Sequence, residues 1–385
     1  MQNDIGQVST QFFDFPSENL PFLLQNGDSL DQVRLAYETY GQLNSQRDNA
    51  ILVFHALTGS QHAAGWNPLV EGVARFWNEE CQTGWWDQFI GPGRALDTEQ
   101  HFVICVNYLG GCYGSTGPSS QKPDGSGELY AAAFPQVTFA DIVNSQVVLL
   151  NHLKIQTLRA VIGASIGGMM CLSLATRYPE RVKNVIPIGS GVEVSPLQKI
   201  LNLEQIRAIE GDPNFSEGYY TCDMKPDWGM AFARMISHKT FVSLDAMRDR
   251  ARQEVVVDNS DFEWYDIQSP LESYMLYQGE KFVARFDANA YLRILDAWQK
   301  FDLLAETGAG DYIELFCKCQ QQSFLIFSID SDVCFYPEAQ KQMVDLLQQA
   351  QVPTTWLTVH SDKGHDSFLV DPDLFAPHIR YQLNR

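Results

Sequence analysis

The stretch Leu158-Arg159-Ala160-Val161-Ile162-Gly163-Ala164-Ser165-Ile166-Gly167-Gly168 decides the fold. Its first half is a short apolar run with the character of a buried strand. Its second half reads G-x-S-x-G and leads into a helical pattern from Gly168 to Arg177. A strand that turns at once into a helix leaves the serine at a strained tip, and small glycines on either side let the backbones pass closely. The N–H of Ile166, at the helix start, can then point at a developing oxyanion. The competing interpretation is a glycine-rich turn with an ordinary serine, since a bare five-residue match is common by chance. The strand before it, the helix after it and the extra Gly168 favour a nucleophile at Ser165.

Similar runs lie on both sides of this segment. Ala50 to Phe54, Phe102 to Val106 and Val185 to Ile188 are continuous apolar stretches, each followed by His, Asn or Gly. Runs apolar on both faces suit a parallel sheet covered by helices on each side. Helical patterns fall between them, as at Asp141 to Leu153. After Pro196 the pattern becomes mostly helical, with Leu201 to Ile209, Trp228 to His238 and Ala288 to Lys300 the clearest pieces. Strand character returns at Phe324 to Ile329 and Thr354 to Val359, with a helix from Ala339 to Gln349 between them. The expected architecture is therefore an α/β-hydrolase fold with a mostly parallel central sheet. Its core is expected to span residues 1–195 and 311–385, interrupted by a helical lid at 196–310.

That fold places an acid after a late strand and a histidine after the last one. Asp330 and Asp332 both follow the strand ending at Ile329, and spacing does not choose between them. Of the late histidines, His360 ends the last strand, His378 falls in a helical stretch near the C-terminus, and His365 sits in the Lys363-Gly364-His365-Asp366 loop. Position favours His365. The second oxyanion donor belongs in the loop after an early strand, here His55-Ala56-Leu57-Thr58-Gly59, with an N–H near Leu57 as the candidate. His55 itself reads as a packed or hydrogen-bonding residue.

Composition narrows the function further. Lys and Arg number 27 against 47 Asp and Glu, a formal net charge of -20. Such a surface repels phosphate backbones and anionic membranes, and no basic stripe relieves it, so nucleic-acid binding is not expected. No stretch is long and apolar enough to span a bilayer. The first basic residue is Arg34, so no export signal is expected at the N-terminus. The 8 cysteines scatter among apolar runs without a Cys-x-x-Cys pair, which points to reduced core thiols in the cytoplasm and no metal site.

Several motifs together carry a resemblance. Tyr40-Gly41-Gln42-Leu43-Asn44, His55-Ala56-Leu57-Thr58-Gly59, Gly84-Trp85-Trp86-Asp87, Gly110 to Pro118 and Gly364-His365-Asp366-Ser367-Phe368-Leu369 occur in one order. The helical segment adds Arg207-Ala208-Ile209-Glu210, Asp212-Pro213-Asn214, Ala233-Arg234-Met235, Glu272-Ser273-Tyr274, Tyr277-Gln278-Gly279 and Arg285-Phe286-Asp287-Ala288-Asn289. From about residue 10 to about residue 370 the chain resembles the homoserine O-acyltransferases, which acylate the homoserine hydroxyl early in methionine biosynthesis.

The resemblance implies a nucleophile at Ser165 and a base at His365. It also implies a triad acid at Asp332, in Ser331-Asp332-Val333-Cys334-Phe335-Tyr336-Pro337. Arg234 and Asp366 would bind the substrate zwitterion, the arginine gripping its carboxylate and the aspartate its ammonium. The substrates implied are L-homoserine and acetyl-CoA, with succinyl-CoA or a serine acceptor as the sister alternatives. No permanently bound cofactor is implied, and a homodimer formed through the lid is. An esterase using the same triad is the more distant alternative. Ala164 and Ile166 depart from the family's Gly-Gly-Ser-Met-Gly-Gly pattern and its Leu variant, Ala164 replacing a Gly and Ile166 a Met or Leu. The β-branched Ile166 is expected beside the acyl group.

Overall fold

The computed structural model describes residues 5–16, 20–252 and 264–385. Eight strands form one sheet: β1 (Gln11–Phe15), β2 (Val33–Tyr40), β3 (Ala50–Phe54), β4 (Phe102–Val106), β5 (Leu158–Ala164), β6 (Val182–Ile188), β7 (Ser323–Ile329) and β8 (Thr354–Val359). Their spatial order is β1-β2-β4-β3-β5-β6-β7-β8. From β4 to β8 every neighbouring pair is parallel, whereas β2 is antiparallel to both β1 and β4.

Alternation within the strands builds two cores from one sheet. In β3, Leu52 and Phe54 enter one apolar cluster, and Ile51 and Val53 enter the other. A strand buried on both faces needs apolar residues at every position, which is why β3 reads as an unbroken run. Helices α1 (Phe139–His152) and α2 (Ile166–Arg177) follow β4 and β5. Helix α1 starts at a capping box, with Thr138 accepting from the Asp141 N–H and Asp141 accepting from the Thr138 N–H.

Between β6 and β7 the chain is helical. Helices α3 (Pro196–Glu210), α4 (Asp227–Phe241), α5 (Leu244–Ala251), α6 (Pro270–Val283) and α7 (Ala288–Gln299) come first, followed by the short α8 (Leu303–Thr307) and α9 (Tyr312–Cys317). Helix α3 packs on α4, and α4 on α6. After β7 come α10 (Pro337–Gln349), then β8, the one-turn α11 (Ser367–Val370) and α12 (Pro372–Leu383).

The strands expected from apolar runs are present, and β5 and β6 are longer than the runs suggested. β1, β2 and α6 were not anticipated. All eight cysteines are unpaired, but Cys222 and Cys317 are exposed rather than in the core. No helix among the described residues is long and apolar enough to cross a membrane.

Candidate active site

Ser165 stands between β5 and α2 with φ 59° and ψ −130°. This is a conformation an L-residue adopts only when its surroundings enforce it. The enforcement is visible on both sides. The Ser165 N–H donates to Ile188 O at 3.0 Å, and the Ser190 hydroxyl donates to Ser165 O at 2.8 Å. A Cβ on Gly167 would stand 2.4 Å from Phe54 O, so only glycine lets α2 pass against β3.

The candidate acid and base, Asp332 and His365, come from the two turns after β7 and β8. Asp332 Oδ2 lies 2.6 Å from His365 Nδ1, and both residues are buried. Asp332 Oδ1 accepts from the N–H groups of Cys334 and Phe335, at 2.8 and 2.9 Å. Those two donors fix the carboxylate, and the carboxylate fixes the imidazole. Burial by itself lowers the His365 pKa. The charge and hydrogen bond of Asp332, with a contribution from Asp366, outweigh burial and leave it raised above the ordinary value. Nδ1 is thereby held protonated, and Nε2, buried and without a partner among the described residues, is left as the basic nitrogen.

The two alternatives that spacing left open form a pair of their own. His360 Nδ1 lies 2.8 Å from Asp330 Oδ2, with the imidazole largely exposed. His378 lies in α12 with its ring near Phe327.

A cavity of about 270 Å³ is lined by Ser165, His365, Leu57, Arg234 and Asp366, together with Arg285. Thus five of the seven residues singled out from sequence share one cavity wall. Asp332 stands behind His365. The Ile166 side chain is fully buried in the core and does not line the cavity, which corrects the expectation that it lies beside the acyl group. It is the first residue of α2, and its side chain belongs to the same core cluster as Leu52 and Phe54.

The loop after β3 is held at successive carbonyls. Tyr108 Oη donates to His55 O, and the Gly59 N–H donates to Ala56 O at 3.0 Å. Arg285 Nη1 donates to Thr58 O at 3.1 Å, and Trp85 Nε1 donates to Ser60 O at 2.9 Å. Below the loop, Tyr40 Oη accepts from the Ala63 and Ala64 N–H groups and donates to the buried Glu38, which His62 Nδ1 also meets at 2.8 Å. No hydrogen bond engages the N–H of Leu57 or of Ile166 among the described residues. His55 stacks on Tyr108 with ring centroids 3.6 Å apart, and burial lowers its pKa to about 3, so it is a neutral packed residue.

Arg234 projects from α4 over two rings, with its Cζ 5.4 Å from the centroids of both Phe241 and Phe282. Burial lowers its pKa, and Arg285 adds to that while Asp366 opposes it. Asp366 is raised by burial and pulled back by His365, Arg234 and Arg250. The Asp366 N–H donates to Phe241 O at 2.8 Å, so the loop carrying His365 and Asp366 is stitched to the end of the helix carrying Arg234. A Cβ on Gly364, whose φ is +80°, would meet the Ser243 nitrogen at 2.6 Å, so this junction requires glycine.

Sequence reasoning assigned no role to Arg285 or Tyr113. Both sat inside quoted motifs, but neither motif says which residue faces the cavity.

The sheet order and the Ser165 turn opposite a buried Asp–His pair define an α/β-hydrolase. The chain matches the alpha/beta hydrolase fold family over residues 49–372. It is 41% identical over 381 residues to the homoserine O-acetyltransferase of Methanohalobium evestigatum, covering 99% of this chain and 73% of that protein. It is 38% identical over 384 residues to the homoserine O-succinyltransferase of Stutzerimonas stutzeri, covering 100% of this chain and 97% of that one. Among solved structures it is similar to esterase E22, with a TM-score of 0.84 and 25% identity over 98% of this chain and 100% of that chain. The chain belongs to the homoserine O-acyltransferase family of α/β-hydrolases.

Proposed function

We propose that this protein is a homoserine O-acetyltransferase that moves an acetyl group from acetyl-CoA to the side-chain hydroxyl of L-homoserine through an acyl-enzyme on Ser165. The observation that carries this reading is a single cavity in which Ser165 and His365 face a cation, Arg234, and a carboxylate, Asp366. An esterase acting with water needs no such pair of opposite charges beside its nucleophile. A zwitterionic amino acid does.

His365 Nε2 takes the proton of Ser165 as its Oγ attacks the thioester carbonyl. Asp332 holds the imidazole tautomer that makes this possible. The N–H groups of Ile166 and Leu57 receive the oxyanion; losing one such donor costs roughly 10²–10³ in rate. The C–S bond breaks, and His365 returns its proton to the departing CoA thiolate. Homoserine then binds with its carboxylate on Arg234 and its ammonium on Asp366. His365 takes the proton of its hydroxyl, which attacks the acyl carbonyl; the ester bond to Ser165 Oγ breaks, and His365 returns the proton to Ser165. Positioning gives the held hydroxyl a high effective molarity, and this is how it outcompetes water.

The helical segment 196–310 acts as the lid over this site. The enzyme needs no permanently bound cofactor, because the acyl group arrives on CoA as a co-substrate. Exposed Leu197, Ile200 and Leu203 on α3 and Trp228 and Phe232 on α4 support assembly as a homodimer through the lid. Its place is the cytoplasm, where acyl-CoA and free amino acids are available.

The test is free-thiol release from acetyl-CoA and from succinyl-CoA, each with and without L-homoserine, with Ser165→Ala as control. Homoserine-dependent release from acetyl-CoA that is absent in the variant is the expected result. A preference for succinyl-CoA would change the donor and keep the mechanism. Equal release without homoserine would make the protein a hydrolase and remove the assignment of Arg234 and Asp366.

A further inference from the structure

We propose that Arg285, carried by the helical insertion, positions the oxyanion loop of the core, so that the catalytic geometry of that loop depends on the lid. The inference rests on the acyl-transfer reading of Ser165 given above and adds a positioning residue to it.

The loop after β3 carries the Leu57 N–H. The carbonyl of His55 is held by Tyr108, that of Ala56 by Gly59 and that of Ser60 by Trp85. All three partners belong to the hydrolase core. Thr58 differs, because its carbonyl accepts at 3.1 Å from Arg285, in the short link between α6 and α7. Thr58 is the residue next to Leu57, so its carbonyl is the restraint from the insertion nearest to the donor.

Arg285 is itself fixed at both ends. Tyr113 Oη donates to Arg285 O at 2.6 Å and accepts from its Nη1 at 3.3 Å. A hydroxyl can do both at once. Tyr113 is buried, edge-on to Trp77 and Phe286. The guanidinium also lies over Phe282, with Cζ 5.4 Å from the ring centroid.

Arg234 shares that ring at the same distance, yet no hydrogen bond or ion pair engages its guanidinium among the described residues. The two cavity arginines therefore divide the work. Arg234 is uncommitted and available to a substrate anion, whereas Arg285 is committed to a backbone carbonyl. A charged donor makes that bond stronger than a neutral one would. Without it the Thr58 peptide can swing and carry the Leu57 N–H off the oxyanion position.

The experiment compares Arg285→Met and Arg285→Lys with the wild type. Three quantities are measured: pre-steady-state thiol release from acetyl-CoA, hydrolysis of p-nitrophenyl acetate, and kcat and KM for L-homoserine. The nitrophenyl ester carries neither a carboxylate nor CoA, so it reports acylation of Ser165 and the oxyanion site without the contacts to homoserine or CoA. Arg285→Met should lower thiol release and ester hydrolysis by the same factor, roughly 10–100. It should leave the homoserine KM within about twofold. Arg285→Lys, which can still reach Thr58 O with one donor, should recover much of the loss, which a general packing defect would not allow. The inference is overturned if Arg285→Met raises the KM for homoserine or acyl-CoA and spares ester hydrolysis, because Arg285 would then be a ligand. It is equally overturned if the variant is unaffected while the wild type shows Ser165-dependent turnover. Absence of any Ser165-dependent thiol release or ester hydrolysis in the wild type would instead sink the acyl-transfer reading itself.

Discussion

Replacing Asp332 by Asn changes the charge and almost none of the volume, so its effect follows from hydrogen-bond direction. Oδ1 accepts two backbone N–H groups, from Cys334 and Phe335. An amide NH2 cannot sit there, because donors would face donors. The carbonyl of the introduced amide must keep that side and turn its NH2 toward His365. Nδ1 then has to accept, and the imidazole proton moves to Nε2, the atom required to take the Ser165 proton. The base is blocked while every atom stays near its place. Trapping the wrong tautomer in such a triad costs about 10⁴ in kcat, or about 5.4 kcal/mol of transition-state stabilisation.

The pH profile provides a second readout. In the proposed mechanism His365 works only when neutral. Burial lowers its pKa and Asp332 more than restores it, to above the ordinary 6.5. The wild-type rate should therefore rise with pH along a limb centred above 6.5. In Asp332→Asn burial acts without that compensation, and the limb should move to lower pH. Thiol release from acetyl-CoA, followed from about pH 5 to 9, reads both effects. A variant within tenfold of wild type, or with an unmoved limb, would refute the reasoning.

Other perturbations have equally specific outcomes. Arg234→Met removes a charged contact of about 1.5–3 kcal/mol, so the homoserine KM should rise roughly 10–150-fold while p-nitrophenyl acetate hydrolysis holds; an unchanged KM in steady-state kinetics would remove Arg234 from the substrate site. Asp366→Asn should do the same through the ammonium, and acylation with homoserine derivatives lacking the amine should be insensitive to it. Gly167→Ala puts a Cβ 2.4 Å from Phe54 O on the central strand; a loss of about 1–3 kcal/mol in denaturant unfolding is expected, and an unshifted midpoint would contradict it. Burial raises the Glu306 pKa to about 7, with Ser173 Oγ donating to it at 2.5 Å. The folded protein therefore binds a proton that the unfolded chain releases, and wild-type stability falls as pH climbs from about 4.5 through about 7. Glu306→Gln should be more stable than wild type near pH 8, by at most about 3 kcal/mol, and no different near pH 4. Thermal melts that show a less stable variant at pH 8 would overturn this.

Much of the fold was legible because its cause is local. β3, β4 and β7 are buried on both faces, and their residues are apolar throughout apart from Ser323 and Ser328 in β7. The same runs failed to reveal β2. That strand mixes Arg34 and Glu38 into its pattern, and the burial of Glu38 depends on Tyr40, His62 and Asn67 meeting it. α6 carries a capping box at Ser269 and Glu272, a local signal that apolar periodicity alone does not register. Cys222 lies in the link before α4 and Cys317 at the end of α9, both exposed, because occurrence near apolar residues does not say where a side chain faces.

The sequence by itself determined the Ser165 turn, the parallel sheet around it and the region where an acid and a base must fall. Each follows from backbone sterics and a periodicity of a few residues. Spacing left Asp330 and Asp332 open and the resemblance implied Asp332; the tertiary structure supplied the physical reason that this carboxylate turns inward. Asp332 meets two N–H groups and His365, while Asp330 pairs with His360 at the surface, two residues away in the chain. It alone also brought Arg234, Arg285 and Asp366 to one cavity and turned the Ile166 side chain away from it. Those placements bring residues of the helical segment between β6 and β7 to a cavity they share with the turns after β3, β5 and β8, a long-range packing solution that no short window of sequence contains.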